Sequence, residues 1–163
     1  MTGQPMLELD LFLNRHGVDF FSAQEIVQLG RRYRGEVITM PPRDLWPNIV
    51  PTLQVLDRVR EHAGPIRVYS GYRPKAYNEV VGGASRSLHV QFNAIDSFPV
   101  DAEAWTPDDY AEVIREAGEG IIAGWCGFGV YQDPHPNNDR QQGFVHLDTR
   151  SLVLGLPPAH WTG

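Results

Sequence analysis

The feature that most constrains this chain is a carboxylate set inside an apolar run. In Ala94-Ile95-Asp96-Ser97-Phe98 the neighbours of Asp96 have the composition of a buried strand. An ionised carboxylate is expensive to bury unless a cation or several donors meet it, so the fold must bring Asp96 a partner. Seven residues earlier stands His89, within Ser87-Leu88-His89-Val90-Gln91-Phe92-Asn93 and behind the Gly82-Gly83 pair. A second apolar run, Phe144-Val145-His146-Leu147-Asp148, is also interrupted by groups that bind metals. A strand has period two, which puts Phe144, His146, Asp148 and Arg150 on one face and Val145, Leu147 and Thr149 on the other. Catalytic zinc sites take three N or O ligands and leave a position open, a set that His89, Asp96 and His146 supply. The alternative is that each of the three is separately satisfied by hydrogen bonds in the core.

The remaining sequence predicts an α+β domain around these runs. A chain of 163 residues has the length of one domain, and 42% hydrophobic residues suffice for an ordinary core. Leu7, Leu11 and Leu13 suggest a short helix ending at His16-Gly17, and the capping-box pair Ser22 and Glu25 starts a second helix from about Ala23 to Leu29. Leu45, Trp46, Ile49, Leu53, Leu56 and Val59 form a helical stripe, read as a helix from about Leu45 to His62 with Pro47 and Pro51 at its start. Lys75 to Val81 reads as a short helix, and Thr106-Pro107-Asp108-Asp109 as the start of one running to Ala117. Strands are expected near 66–70, 93–98, 126–131 and 143–149, in a small, mainly antiparallel sheet with helices on one face. Residues 1–40 form a helical lead-in and 45–150 the motif-bearing core. The loop from Gln132 to Gln142 is polar, so His135 is expected in solvent, and the tail with Pro157-Pro158 and His160-Trp161 has no assignment.

Charge and composition exclude several functions. A net charge of −6 without clustered Lys and Arg argues against nucleic acid as partner. The single Cys126 cannot form an internal disulfide and reads as a small buried thiol. The first residues lack a basic and apolar leader, and no run is long enough to span a bilayer. The expectation is a soluble chain made in the cytoplasm, which would reach a cell wall by some other export route.

The motifs also carry a resemblance. Ser70-Gly71-Tyr72-Arg73-Pro74, Tyr77-Asn78, Val81-Gly82-Gly83-Ala84, Ser87-x-His89 with Ala94-x-Asp96, Gly127-Phe128-Gly129-Val130-Tyr131 and Phe144-Val145-His146-Leu147-Asp148-x-Arg150 occur in the order found in zinc D-alanyl-D-alanine carboxypeptidases and murein endopeptidases. This part of the chain, about Leu45 to Arg150, is similar to that family, whose fold is shared with the hedgehog signalling domain and lysostaphin-type peptidases. The resemblance implies Zn2+ on His89, Asp96 and His146 and an amide bond of a peptidoglycan peptide as substrate. It also implies Arg73 at the developing oxyanion or a substrate carboxylate, and Tyr72, Asn78 and Ser87 as substrate or supporting contacts. Two positions depart from it. Gly143, Phe144 and Val145 stand where many relatives carry the general base, so Asp148, with Asp139 second, is the replacement candidate. Phe92 stands where the family usually has Gly. The other reading is a zinc-binding domain of the same fold with lost or repurposed activity.

Overall fold

The strands that hold the two motif runs are direct neighbours in one sheet. The computed structural model describes residues 3–136 and 142–163. In chain order the elements are α1 (Gly3–Arg15), α2 (Ala23–Val27), the hairpin β1 (Arg32–Tyr33) and β2 (Glu36–Val37), α3 (Trp46–Ala63), β3 (Ile66–Ser70), α4 (Lys75–Val80), β4 (Ala94–Pro99), α5 (Pro107–Ala117), α6 (Ile122–Trp125), β5 (Gly127–Tyr131), β6 (Phe144–Asp148), α7 (Arg150–Leu154) and β7 (Ala159–Thr162). The main sheet has the order β3-β4-β6-β5-β7. All its pairs are antiparallel except β5 with β7, so the chain is a small α+β domain with a mainly antiparallel sheet.

Local chemistry starts the helices where the sequence predicts. Ser22 and Glu25 form a reciprocal capping box on α2, and Thr106 and Asp109 form another on α5. The buried face of α3, with Ile49, Leu53, Leu56 and Val59, joins Tyr110, Ala111 and Ile114 of α5 and Ile95, Phe98, Val145 and Leu147 of the sheet in one core. Leu9 and Leu13 of α1 belong to the same core. The Tyr110 hydroxyl bonds Ser97 Oγ at 2.9 Å. Because Ser97 and Asp96 point to opposite sides of β4, the helices cover one face and leave Asp96 on the other.

Register then fixes the site. Asp96 lies opposite His146, and His146 lies opposite Gly129 of β5. A slip of one residue would turn one ligand into the helix-covered core.

Several boundaries differ from expectation. α2 stops at Val27, because Gln28 adopts a left-handed conformation (φ 55°) and caps it. Pro51 lies inside α3 rather than bounding it. The last motif strand ends at Asp148, and Arg150 opens α7 instead of continuing the strand. The unassigned tail forms β7. Among the described residues no helix is long and apolar enough to cross a membrane.

Phe92 is fully buried, packs edge-on against Tyr72 with ring centroids 5.7 Å apart, and has φ +50°. Left-handed backbone disfavours any residue with a Cβ by about 1–2 kcal/mol, so ring burial holds in place a conformation that glycine would take freely. Phe92→Ala is expected to cost about 3–5 kcal/mol, and Phe92→Gly about 1 kcal/mol less, because the backbone relaxes. Urea unfolding of the two variants checks this, and a glycine variant less stable than the alanine one would contradict it.

Candidate metal centre

Each of the three predicted ligands is presented by a different local device. His89 sits in the turn between Ser87 and Phe92, where its N–H donates to Ser87 Oγ (3.3 Å) and its carbonyl accepts from Arg73 N (3.1 Å). Its Nδ1 lies 2.7 Å from the Gly71 carbonyl and its Nε2 3.1 Å from Asp96 Oδ2. The Gly71 carbonyl can reach the ring because the backbone there runs against the end of α2. A Cβ on Gly71 would lie 1.9 Å from the Ile26 carbonyl oxygen, to which Tyr72 N donates at 3.0 Å.

His146 stands on β6 between two carboxylates, with Nδ1 2.7 Å from Asp96 Oδ1 and Nε2 2.9 Å from Asp148 Oδ2. Asp148 is fully buried and gripped by Arg150, whose Nε donates to Oδ1 (2.9 Å) and Nη2 to Oδ2 (2.8 Å), while Gly127 N donates to Oδ1 (3.0 Å). Arg73 donates through Nε to Ser70 Oγ (2.7 Å) and through Nη2 to Asp96 Oδ2 (3.2 Å).

His135 corrects the sequence expectation. It is only 4% exposed, lies stacked near Tyr69 and edge-on to Phe144, and places Nε2 3.1 Å from Asp96 Oδ2. Two aromatic walls and a carboxylate offset the burial of its ring. The one local hint was Pro134 and Pro136 on either side, which stiffen a loop that otherwise reads as solvent-facing.

The other site candidates divide. Ser87 supports the His89 turn, and Tyr72 is buried against Phe92. Asn78 is 2% exposed and gives its amide to the Ala84 carbonyl (3.0 Å), in the turn leading to Ser87. Asp139 lies outside the described residues.

Burial is the largest influence on Asp96 and by itself would raise its pKa, but the charge of His89 and hydrogen bonds from His135, His146 and His89 outweigh it and hold the carboxyl well below the usual range. Burial pushes His89 down to about 4, against the pull of Asp96. Burial also opposes charge on His146, yet hydrogen bonds to Asp148 and Asp96 prevail and raise it to about 9. Asp148 is held low by Arg150 and His146 against its own burial.

The donor set of the site is one that could hold a metal ion. At neutral pH His89 carries one ring proton and faces two acceptors, the Gly71 carbonyl and Asp96 Oδ2. Whichever nitrogen carries that proton, the other turns a lone pair on an oxygen, and with the proton on Nδ1 the Nε2 lone pair stands 3.1 Å from a carboxylate oxygen, an arrangement that a cation between them resolves. Ligand atoms of His89, Asp96 and His146 all lie within 4.8 Å of one another. Tetrahedral N and O ligands bonded at about 2.0–2.1 Å stand about 3.4 Å apart, so little movement is needed.

A family model described as Peptidase M15 matches residues 19–125, well over half of the chain. No curated protein matches it. The matched segment includes Arg73, His89 and Asp96 and ends before His135 and His146, so the match does not reach those two.

Metal and proton compete for His146. With its pKa near 9, the metal-free protein carries a proton on that ring at pH 7, whereas His89 and Asp96 carry none that must leave. Metal uptake at pH 7 should release about one proton per ion, falling toward none above pH 9, with affinity dropping about tenfold per pH unit below that. Calorimetry in buffers of different ionisation enthalpy measures the release. The same shift makes His146 stabilise the metal-free fold fully below about pH 6.5, a contribution lost as pH rises through about 9. Proton-free binding at pH 7 would contradict both statements.

Proposed function

The chain belongs to the Peptidase M15 family, and from that premise we propose that it is a zinc peptidase hydrolysing an amide bond in peptidoglycan peptides, of D,D-carboxypeptidase or endopeptidase type. The observation that carries the reading is the convergence of His89 Nε2 and His146 Nδ1 on the buried Asp96 carboxylate, with the single ring proton of a neutral His89 facing two acceptors. Two imidazoles and one carboxylate favour zinc among the common ions. Zinc held there would polarise the scissile carbonyl and lower the pKa of a water bound to it.

The chain's own residues supply the remaining steps. The Gly71 carbonyl fixes the His89 tautomer, and the Asp148–Arg150 pair turns His146 so that Nδ1 faces Asp96. Arg73 is anchored by Ser70 and Asp96 and its side chain keeps 13% of its surface open, which suits it to a carbonyl oxygen that gains charge or to a terminal carboxylate. With a metal on Asp96, His135 Nε2 would be freed from its 3.1 Å contact with Asp96 Oδ2 and would accept the proton of the attacking water, in place of the acid missing at residues 143–145. Asp148 has both oxygens engaged and no exposed surface, so its part is to position His146. Phe92, buried in a backbone conformation suited to glycine, favours the second reading, a zinc-binding domain of the same fold with lost or repurposed turnover.

Zinc-loaded wild type, His135→Gln and Asp148→Asn, assayed on purified muropeptides with zinc affinity measured in parallel, separate these roles. His135→Gln should retain zinc and lose about 10²–10⁴-fold in kcat, whereas Asp148→Asn should lose about 10–100-fold in zinc affinity. Asp148→Asn binding zinc like wild type with kcat collapsed would return the proton to Asp148. No wild-type turnover on any cell-wall peptide would favour the second reading.

A further inference from the structure

The sheet carries a gap beside His146, and a residue from the far end of the chain fills it. On the site face, β5 sets Gly127 opposite Asp148 and Gly129 opposite His146, so neither position next to the ligand has a side chain. A Cβ on Gly129 would lie 2.4 Å from Trp161 Nε1, and one on Gly127 would lie 2.3 Å from Asp148 Oδ2. The indole reaches this space because β7 pairs in parallel with β5, placing Trp161 opposite Gly129. Its ring lies 5.3 Å from that of His146, tilted by 45°, and the Arg150 guanidinium lies 5.5 Å from the indole. Trp161 Nε1 donates to the Tyr131 hydroxyl (2.6 Å), and Tyr131 stacks on Phe144 at 4.4 Å.

We infer that Trp161 is a positioning residue of the metal centre, and that β7 is therefore part of the site rather than a tail. The indole touches His146 on one side and the arginine that clamps Asp148 on the other, so it limits both ring rotation of His146 and loosening of its carboxylate support. The Tyr131 hydrogen bond fixes the orientation of the indole, and glycine at 129 is the condition for the contact. This inference rests on the metal-binding reading of the site and is independent of which bond is cleaved.

The test measures zinc affinity by chelator competition in wild type, Trp161→Ala, Trp161→Phe, Gly129→Ala, the double variant and Thr162→Ala, with thermal melts and the ring nitrogen shifts of His146 by NMR. Trp161→Ala should lose about tenfold or more in affinity and show altered His146 nitrogen shifts, while Trp161→Phe, which keeps a ring, recovers most of the loss. Gly129→Ala should produce a similar loss with Trp161 intact, by displacing the indole. The double variant should be no worse than Trp161→Ala, because the added methyl then meets no indole. Thr162→Ala, exposed on the same strand, should match wild type. If Trp161→Ala fails to fold, Gly129→Ala and Trp161→Phe still decide the matter. Zinc affinity and His146 shifts unchanged in the folded Trp161 and Gly129 variants would overturn the inference, whereas absence of zinc binding in wild type would overturn the metal-site reading itself.

Discussion

The Asp96 carboxylate is the group on which the rest of the site depends. It is 3% exposed in the middle of a sheet, and the chain sends it four partners from four places: Arg73 after β3, His89 from the turn before β4, His135 from the loop after β5, and His146 from β6. Removing one member of a buried charge pair typically costs about 3–5 kcal/mol. The backbone must therefore satisfy a strict demand, with two strands in fixed register and Arg73, His89 and His135 brought to the same carboxylate from outside them. The packing of α3 and α5 on the opposite face meets this demand by leaving the Asp96 face clear of helices.

Close backbone approach makes the arrangement possible. Gly71 lets the end of β3 run against α2, which turns its carbonyl onto His89 Nδ1 and so chooses which nitrogen of that ring is offered to Asp96. Gly129 leaves the space through which a side chain from β7 reaches His146. In both places a missing Cβ in one element sets the orientation of a histidine in another. Such glycines look like turn or strand breakers in the sequence, because what they approach is distant along the chain.

That distance marks the boundary of what the sequence discloses. The two motif strands and the grouping of His89, Asp96 and His146 were legible because an acid or a histidine inside an apolar run is a local anomaly with few physical remedies. The long α3 and the capped α2 and α5 were legible because caps and stripes are local too. His135 was not, since its burial is decided by Tyr69 and Phe144, far away in sequence, while its own neighbours are polar. The four residues of β7 alternate between partly buried and exposed, follow two prolines, and gain their structure from pairing with β5. Asp148 was legible as a site residue by strand period, but the engagement of both its oxygens depended on Arg150 turning back at the start of α7.

The charge arrangement also bears on whether such a centre needs its metal in order to fold. In small domains whose ligands have no other partner, the binding free energy of the ion is the folding free energy. Here a proton on His146 joins Asp96 to Asp148, Arg73 compensates Asp96, and Arg150 compensates Asp148, so every buried charge has a partner without any ion. The contact left in conflict at neutral pH, among these described groups, is that of His89, whose one ring proton faces both the Gly71 carbonyl and Asp96 Oδ2. An ion that enters resolves that contact and displaces a proton, while the core of α1, α3, α5 and the sheet is already complete. Strain confined to a single lone pair in a preformed frame is what binding, rather than folding, would relieve.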